Sequence, residues 1–213
     1  VFVLDSASSG LRDASFLITR SGWGALRERL QALLSGYHGQ FPLRAGMPRE
    51  EVKSRLASYV ARLPSRLFNE VVERAVAEGW LAESAGVLRS ASHQITFTPR
   101  QQQAVDYLLY TFRQEPYTTP SVAQCEDQVG SEVLSALVEQ GDLLKLNDDV
   151  IFLTETYEGM RDRVVAHLRE HGSITVAQVR DMFGTSRKYA LALLGYLDEK
   201  RITRRVGDER VLR

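Results

Sequence analysis

The sequence predicts a mainly α-helical α+β chain in which small β hairpins close successive groups of three helices. Two observations predict this. The order helix, helix, helix, hairpin can be read three times along 213 residues, and the formal charge changes sign from one repeat to the next. Hydrophobic residues make up 44% and charged residues 25%, values of an ordinary folded protein, so the composition excludes disorder. The longest apolar runs, such as Val1 to Leu4, are too short to span a membrane, and no cleavable signal pattern opens the chain. A single cysteine, Cys125, excludes an internal disulfide and any CxxC metal site, and a reducing, cytoplasmic setting follows as the expectation.

The last repeat is the clearest. Tyr157, Met160, Val164 and Leu168 keep helical spacing up to His171-Gly172, where glycine signals a helix end. Thr175 then caps a short helix carrying Val176, Val179 and Phe183, and Gly184 breaks it. Thr185-Ser186 opens a longer helix with Ala190, Leu193, Leu194 and Leu197 on one face. Past Lys200 the period shortens. Ile202 to Val206, Gly207-Asp208 and Arg210 to Leu212 read as a hairpin around a tight turn. This order is the winged-helix pattern, a helix-turn-helix followed by a β wing.

The middle repeat starts at the capping box Thr98-Pro99-Arg100-Gln101, with a helix through Val105, Leu108, Leu109 and Phe112. A short helix follows Thr119-Pro120. A third carries Val133, Leu134, Leu137 and Val138 to Gly141, and a wing runs from Leu143 to Leu153 around Asn147-Asp148-Asp149. In the first repeat Leu26 to Tyr37 is amphipathic, Pro48 starts a second helix, and Pro64-Ser65 starts a third that ends near Gly79 before two strands around Gly86. The expected division is therefore 21–97, 98–156 and 157–213, three tandem winged helices in an extended array. Residues 1–20 fit none of them and are expected to be the remnant of a preceding winged helix or a linker.

Charge separates the three modules. Residues 1–97 hold twelve basic and nine acidic residues, 98–156 three and ten, and 157–213 twelve and eight. Only the ends can meet a polyanion, and the acidic middle module reads as a spacer that repels phosphate.

Enzyme signatures are absent: the chain has no phosphate-binding GxxxxGK[ST] loop, GxGxxG, GxSxG or HExxH. No catalytic residue and no metal site is assigned, and the chain is expected to be no enzyme. His167 and His171 stand four apart without a visible third ligand, and a solvated helix face is the simpler reading. Cys125 reads as a small buried hydrophobe. The last module is different. Thr185, Ser186, Arg187, Lys188 and Tyr189 place hydroxyls, two cations and an aromatic ring at a helix start, where unpaired backbone N–H groups favour phosphate. Arg204, Arg205 and Arg210 of the wing add charge, and eight basic residues face four acidic ones between Gly184 and Arg213. Cations oppose the dipole at a helix start, so stability alone does not place them there. These eight residues are the candidate nucleic-acid site. Tyr189 lies in helical register with Leu193 and Tyr196, which favours core packing over base stacking. Arg204 and Arg205 are neighbours on a strand, so one of the two is expected to face the ligand.

The stretch Gly184 to Arg213 resembles the end of the bacterial selenocysteine-specific translation elongation factor family (SelB), whose usual ending is TSRKYAxPLLEYLDxxGxTRRxGDxRxLR. Thr185 to Ala190, Leu193, Leu194, Tyr196, Leu197, Asp198, Thr203 to Arg205, Gly207, Asp208, Arg210, Leu212 and Arg213 match it. Ala192 and Gly195 depart from it. Tyr37-His38, Pro42-Leu43 and Gly46-Met47-Pro48 resemble a second family string, YHxxNPLxxGMP, with Phe41 in place of its asparagine. The middle module agrees in architecture only. The resemblance implies that the chain is the carboxy-terminal arm of such a factor, starting inside or just after the first of four winged helices. Its last winged helix would bind an mRNA stem-loop, the selenocysteine insertion element, beside an in-frame UGA codon. Selenocysteinyl-tRNA and the ribosome would be partners of the full-length protein, and GTP and magnesium cofactors only of its amino-terminal part. The arm itself is expected to be a monomer without cofactor or membrane contact. Two rivals remain: a winged-helix regulator of double-stranded DNA, and a protein-interaction array.

Overall fold

A computed structural model describes residues 2–4, 16–60 and 63–213. The described residues fall into two compact units, divided between Thr96 and Phe97. No described helix is long and apolar enough to cross a membrane.

The first unit opens with an antiparallel pair, β1 (Phe2–Leu4) and β2 (Phe16–Ile18). The expected remnant of a preceding module falls largely on residue 1 and residues 5–15, which lie outside the described residues. Helix α1 (Arg20–Gln40) begins earlier than its apolar stripe because the Thr19 hydroxyl accepts from the Gly22 N–H. Then come β3 (Met47–Pro48), α2 (Arg49–Ala57), α3 (Ser65–Ala77), β4 (Leu81–Ser84) and β5 (Val87–Ser90). The sheet order is β3-β5-β4, so the hairpin gains a third strand from the segment between the first two helices. That two-residue strand is too short for a period to show in the sequence. Its signature is Gly46, where a Cβ would lie 2.7 Å from the Leu88 carbonyl oxygen. Leu30, Leu34, Met47, Val52, Leu56, Phe68, Val71, Val72 and Leu88 fill the core beneath.

The second family string therefore builds a corner of the fold. Tyr37 is buried, Phe41 packs 4.9 Å from it, and Met47 pairs with Leu88 in the sheet. His38 stacks on His93 at 3.6 Å. Burial first, then His93 and Arg89, lower its pKa to about 4, so His38 stays neutral near pH 7.

The second unit holds α4 (Pro99–Gln114), α5 (Val122–Val129), α6 (Ser131–Gln140), β6 (Leu143–Lys145) and β7 (Ile151–Leu153). It continues with α7 (Thr154–His171), β8 (Ile174–Thr175), α8 (Val176–Phe183), α9 (Arg187–Glu199), β9 (Thr203–Val206) and β10 (Glu209–Leu212). Both winged helices appear in the expected order. Complete capping boxes start α4, α5 and α8, at Thr98, Ser121 and Thr175. As in the first unit, a short strand between the first two helices joins the wing: β8 adds to the hairpin in the order β8-β10-β9. Cys125 is buried, and burial, helped by Glu126, raises its thiol pKa to about 11. His167 and His171 stack on each other at 4.2 Å.

The junction near Tyr157 ties the middle module, read above as a spacer, into the last one. Helix α7 starts at Thr154, directly after β7, with no connecting loop. Leu146, Val150 and Phe152 of the middle module share one core with Tyr157, Met160, Leu193 and Leu197 of the last. Residues 97–213 are one packed body. The sequence shows two apolar faces there but not that they meet.

Helix α9 ends in a Schellman motif. Ile202 N–H donates to the Leu197 carbonyl at 2.9 Å and Arg201 N–H to that of Asp198 at 3.0 Å. Arg201 sits at φ 59°, a left-handed position that glycine fills at the end of α6. The glycine of the family pattern falls on Arg201, a third departure beside Ala192 and Gly195. A Cβ at such a position costs roughly 1–2 kcal/mol, part of which glycine's unfolded-chain entropy takes back. Arg201→Gly should therefore stabilise residues 97–213 by about 0.5–1 kcal/mol. Urea titration at constant m-value checks this, and an unchanged or lower midpoint would mean that the arginine side chain makes up for its backbone.

Candidate nucleic-acid interface

The candidate surface is built on α9 and the wing. Ser186 is the N-cap of α9, but its hydroxyl makes no cap bond, and the first turn holds no acidic residue. The helix start thus keeps unpaired N–H groups beside an exposed hydroxyl. Arg187 is exposed and makes no ion pair among the described residues. Arg204 on β9 is exposed and unpaired in the same sense. Arg205 is also exposed, but its Nε donates to the Gly207 carbonyl at 2.8 Å and its Nη2 lies 3.6 Å from Asp208. Both wing arginines thus reach solvent, and the difference between them is that Arg205 is tied to the turn while Arg204 is not.

Three further candidates are committed to the middle module. The Thr185 hydroxyl is buried and donates to the Tyr117 carbonyl. The Tyr189 hydroxyl donates to the Thr119 carbonyl, and its ring lies 5.9 Å from Phe152. This fits the packing role that helical register favoured, with the hydroxyl satisfied by backbone. Lys188 remains half-exposed, but its Nζ lies 2.6 Å from Asp149 Oδ2. Thr119 is itself fixed, since its buried hydroxyl donates to the Ile151 carbonyl at 2.7 Å.

Arg210 is buried at 7% exposure and leaves the candidate surface. Its Nε pairs with Asp198 Oδ2 at 3.3 Å, while Asp198 Oδ1 accepts from the Thr203 hydroxyl at 2.6 Å. This network ties the end of α9 to the wing. A sequence signal existed, because an aspartate in the last turn of a helix faces the negative end of the dipole and calls for a cation. Thr185 leaves the surface as well, because a buried hydroxyl bonded to backbone has nothing to offer a ligand. Tyr117, Thr119, Asp149 and Phe152, which shape the helix start from below, were not legible as site residues.

What remains is an anion-seeking helix start with Ser186, Arg187 and Lys188, and a wing carrying Arg204 and Arg205. Two family models, each described as elongation factor SelB, winged helix, match residues 31–89 and 166–212. Two stretches of this chain are thus similar to SelB winged helices. The selenocysteine-specific elongation factor of Desulfomicrobium baculatum is 25% identical over 186 residues, covering 84% of this chain and 29% of the relative. That of Escherichia coli strain K12 is 25% identical over 183 residues, with the same coverages of 84% and 29%. The chain thus spans under a third of the length of these curated SelB relatives. A solved structure of the mRNA-binding domain of E. coli elongation factor SelB in complex with SECIS RNA is also similar. It shows 25% identity and a TM-score of 0.43, covering 55% of this chain and 99% of that one. The SelB matches include both strings singled out in the sequence, and the second SelB match contains α9 and the wing whole.

Proposed function

We propose that this chain is the mRNA-binding arm of a selenocysteine-specific elongation factor. It recognises the selenocysteine insertion stem-loop and tethers the GTPase and selenocysteinyl-tRNA part at in-frame UGA codons. The observation that carries this reading is a SelB winged helix whose helix start presents Ser186 and an unpaired Arg187, with a second unpaired cation, Arg204, on its wing. The arm itself does no chemistry. GTP, magnesium, the tRNA and the ribosome belong to the rest of a full-length protein, which would act as a monomer in the cytoplasm.

RNA dictates the approach. The A-form major groove is deep and narrow, so α9 cannot lie along it as it would in DNA. The helix start and wing instead grip phosphates, and unstacked loop bases are left to be read at their edges. Arg187 and Arg204 supply the phosphate contacts, because neither has an anion to give up among the described residues.

The test is titration of the chain with the stem-loop RNA, a scrambled hairpin and the same sequence as DNA duplex. The stem-loop should bind best. Arg187→Ala and Arg204→Ala should each weaken it about fivefold to tenfold and lower the salt slope by roughly 0.7–0.9. Preference for the duplex would favour the DNA-regulator reading, and absence of binding to all three would favour a protein partner.

A further inference from the structure

The Lys188–Asp149 ion pair joins a candidate RNA-binding cation to the wing turn of the acidic module. Asp149 is not a loose loop residue. Its N–H donates to the Asn147 side-chain oxygen at 2.9 Å, and its carbonyl accepts from the Val122 N–H at 3.2 Å. The neighbouring Asp148 is taken by Lys145 at 3.3 Å. Lys188 rests on a fixed base too: its Nζ lies 5.2 Å from the centre of the Tyr189 ring, and Tyr189 is bonded to Thr119. Helix α9 has no acidic residue in its own first turn, so the middle module brings a carboxylate to that turn from outside.

We propose that Asp149 is an internal counter-ion that an RNA phosphate must displace from Lys188, so that the acidic module sets the affinity of the RNA-binding helix start. The proposal rests on the RNA-binding reading above. Both side chains are substantially exposed, at 41% and 60%, so the pair is weak enough for a phosphate to exchange with it. The condensed cation leaves the RNA whenever Lys188 takes a phosphate, with or without Asp149, so the carboxylate changes the affinity and not the number of cations released. Every RNA that uses Lys188 meets the same displacement, so Asp149 lowers binding to all of them by one factor and leaves their ratio alone.

The experiment measures binding of the stem-loop and of a scrambled hairpin by the wild-type chain, Asp149→Asn, Lys188→Ala and the double variant, at several salt concentrations. Asn keeps the size of Asp149 and both backbone bonds, and circular dichroism confirms that each variant is folded. Asp149→Asn should tighten both RNAs by the same factor, about twofold to fivefold. The salt slope should stay nearly unchanged, since Lys188 neutralises one phosphate in both proteins. The gain should vanish in the Lys188→Ala background. Unchanged affinity in Asp149→Asn overturns the proposal, as does a gain that survives without Lys188. Weaker stem-loop binding by Asp149→Asn overturns it as well, because Asp149 would then contact the RNA itself. A wild-type chain that binds neither RNA overturns the functional reading and the proposal together, whereas wild-type binding with no Asp149 effect overturns the proposal alone.

Discussion

Severed at Tyr157, residues 157–213 should melt at least about 10 °C below residues 97–213 and bind the stem-loop about tenfold more weakly. The cut falls inside α7, removing its first three residues and the whole of β7. It also strips the shared core of Leu146, Val150 and Phe152, all within 7% exposure in the intact unit. Exposing the surface they cover costs several kcal/mol at roughly 25 cal/mol per Å² of apolar area. At the helix start, the Thr185 and Tyr189 hydroxyls lose the Tyr117 and Thr119 carbonyls that hold them. Ser186 and Arg187 then sit on a less ordered turn, and the ordering must be supplied on binding. Residues 97–213 keep every one of these contacts and should match the whole chain in stem-loop affinity. An isolated last module that melts within a few degrees of the larger unit and binds equally well would show that the middle module is a spacer after all.

The contrast between the two views of that junction shows what a sequence carries. Helix starts were legible because their signals are local: Thr98, Ser121 and Thr175 form capping boxes within four residues. The wings were legible from period two around Gly86, Asn147 and Gly207. The two-residue strands at Met47 and Ile174 were not, since they are defined by partners about forty residues away. The site divided in the same way. Charge at a helix start and on a wing singled out Ser186, Arg187 and Arg204, and the structure leaves all three exposed. Thr185 and Arg210 belong to the same strings of sequence, but their partners, Tyr117 and Asp198, hold them in the fold. Charge and hydroxyl content mark which residues could reach a ligand. Only packing says which of them already have a partner.

Phe152→Ala should destabilise residues 97–213 by about 3–5 kcal/mol and do so in a single transition. Phe152 is fully buried and among the largest such side chains in the chain. It stands on β7, two residues before α7, and its ring faces Tyr189 of α9. The substitution removes the ring and leaves a cavity beside Tyr189, whose hydroxyl is held by the Thr119 carbonyl. Since the shared core links both winged helices, calorimetric and van't Hoff enthalpies should agree for the wild-type unit, and the variant should shift the whole transition. Well below its lower melting temperature, the variant should still bind the stem-loop more weakly, because Tyr189 no longer fixes the turn that carries Arg187 and Lys188. Two separate transitions, with only one displaced, would mean that the modules unfold independently and that the helix start stands without support from the middle module.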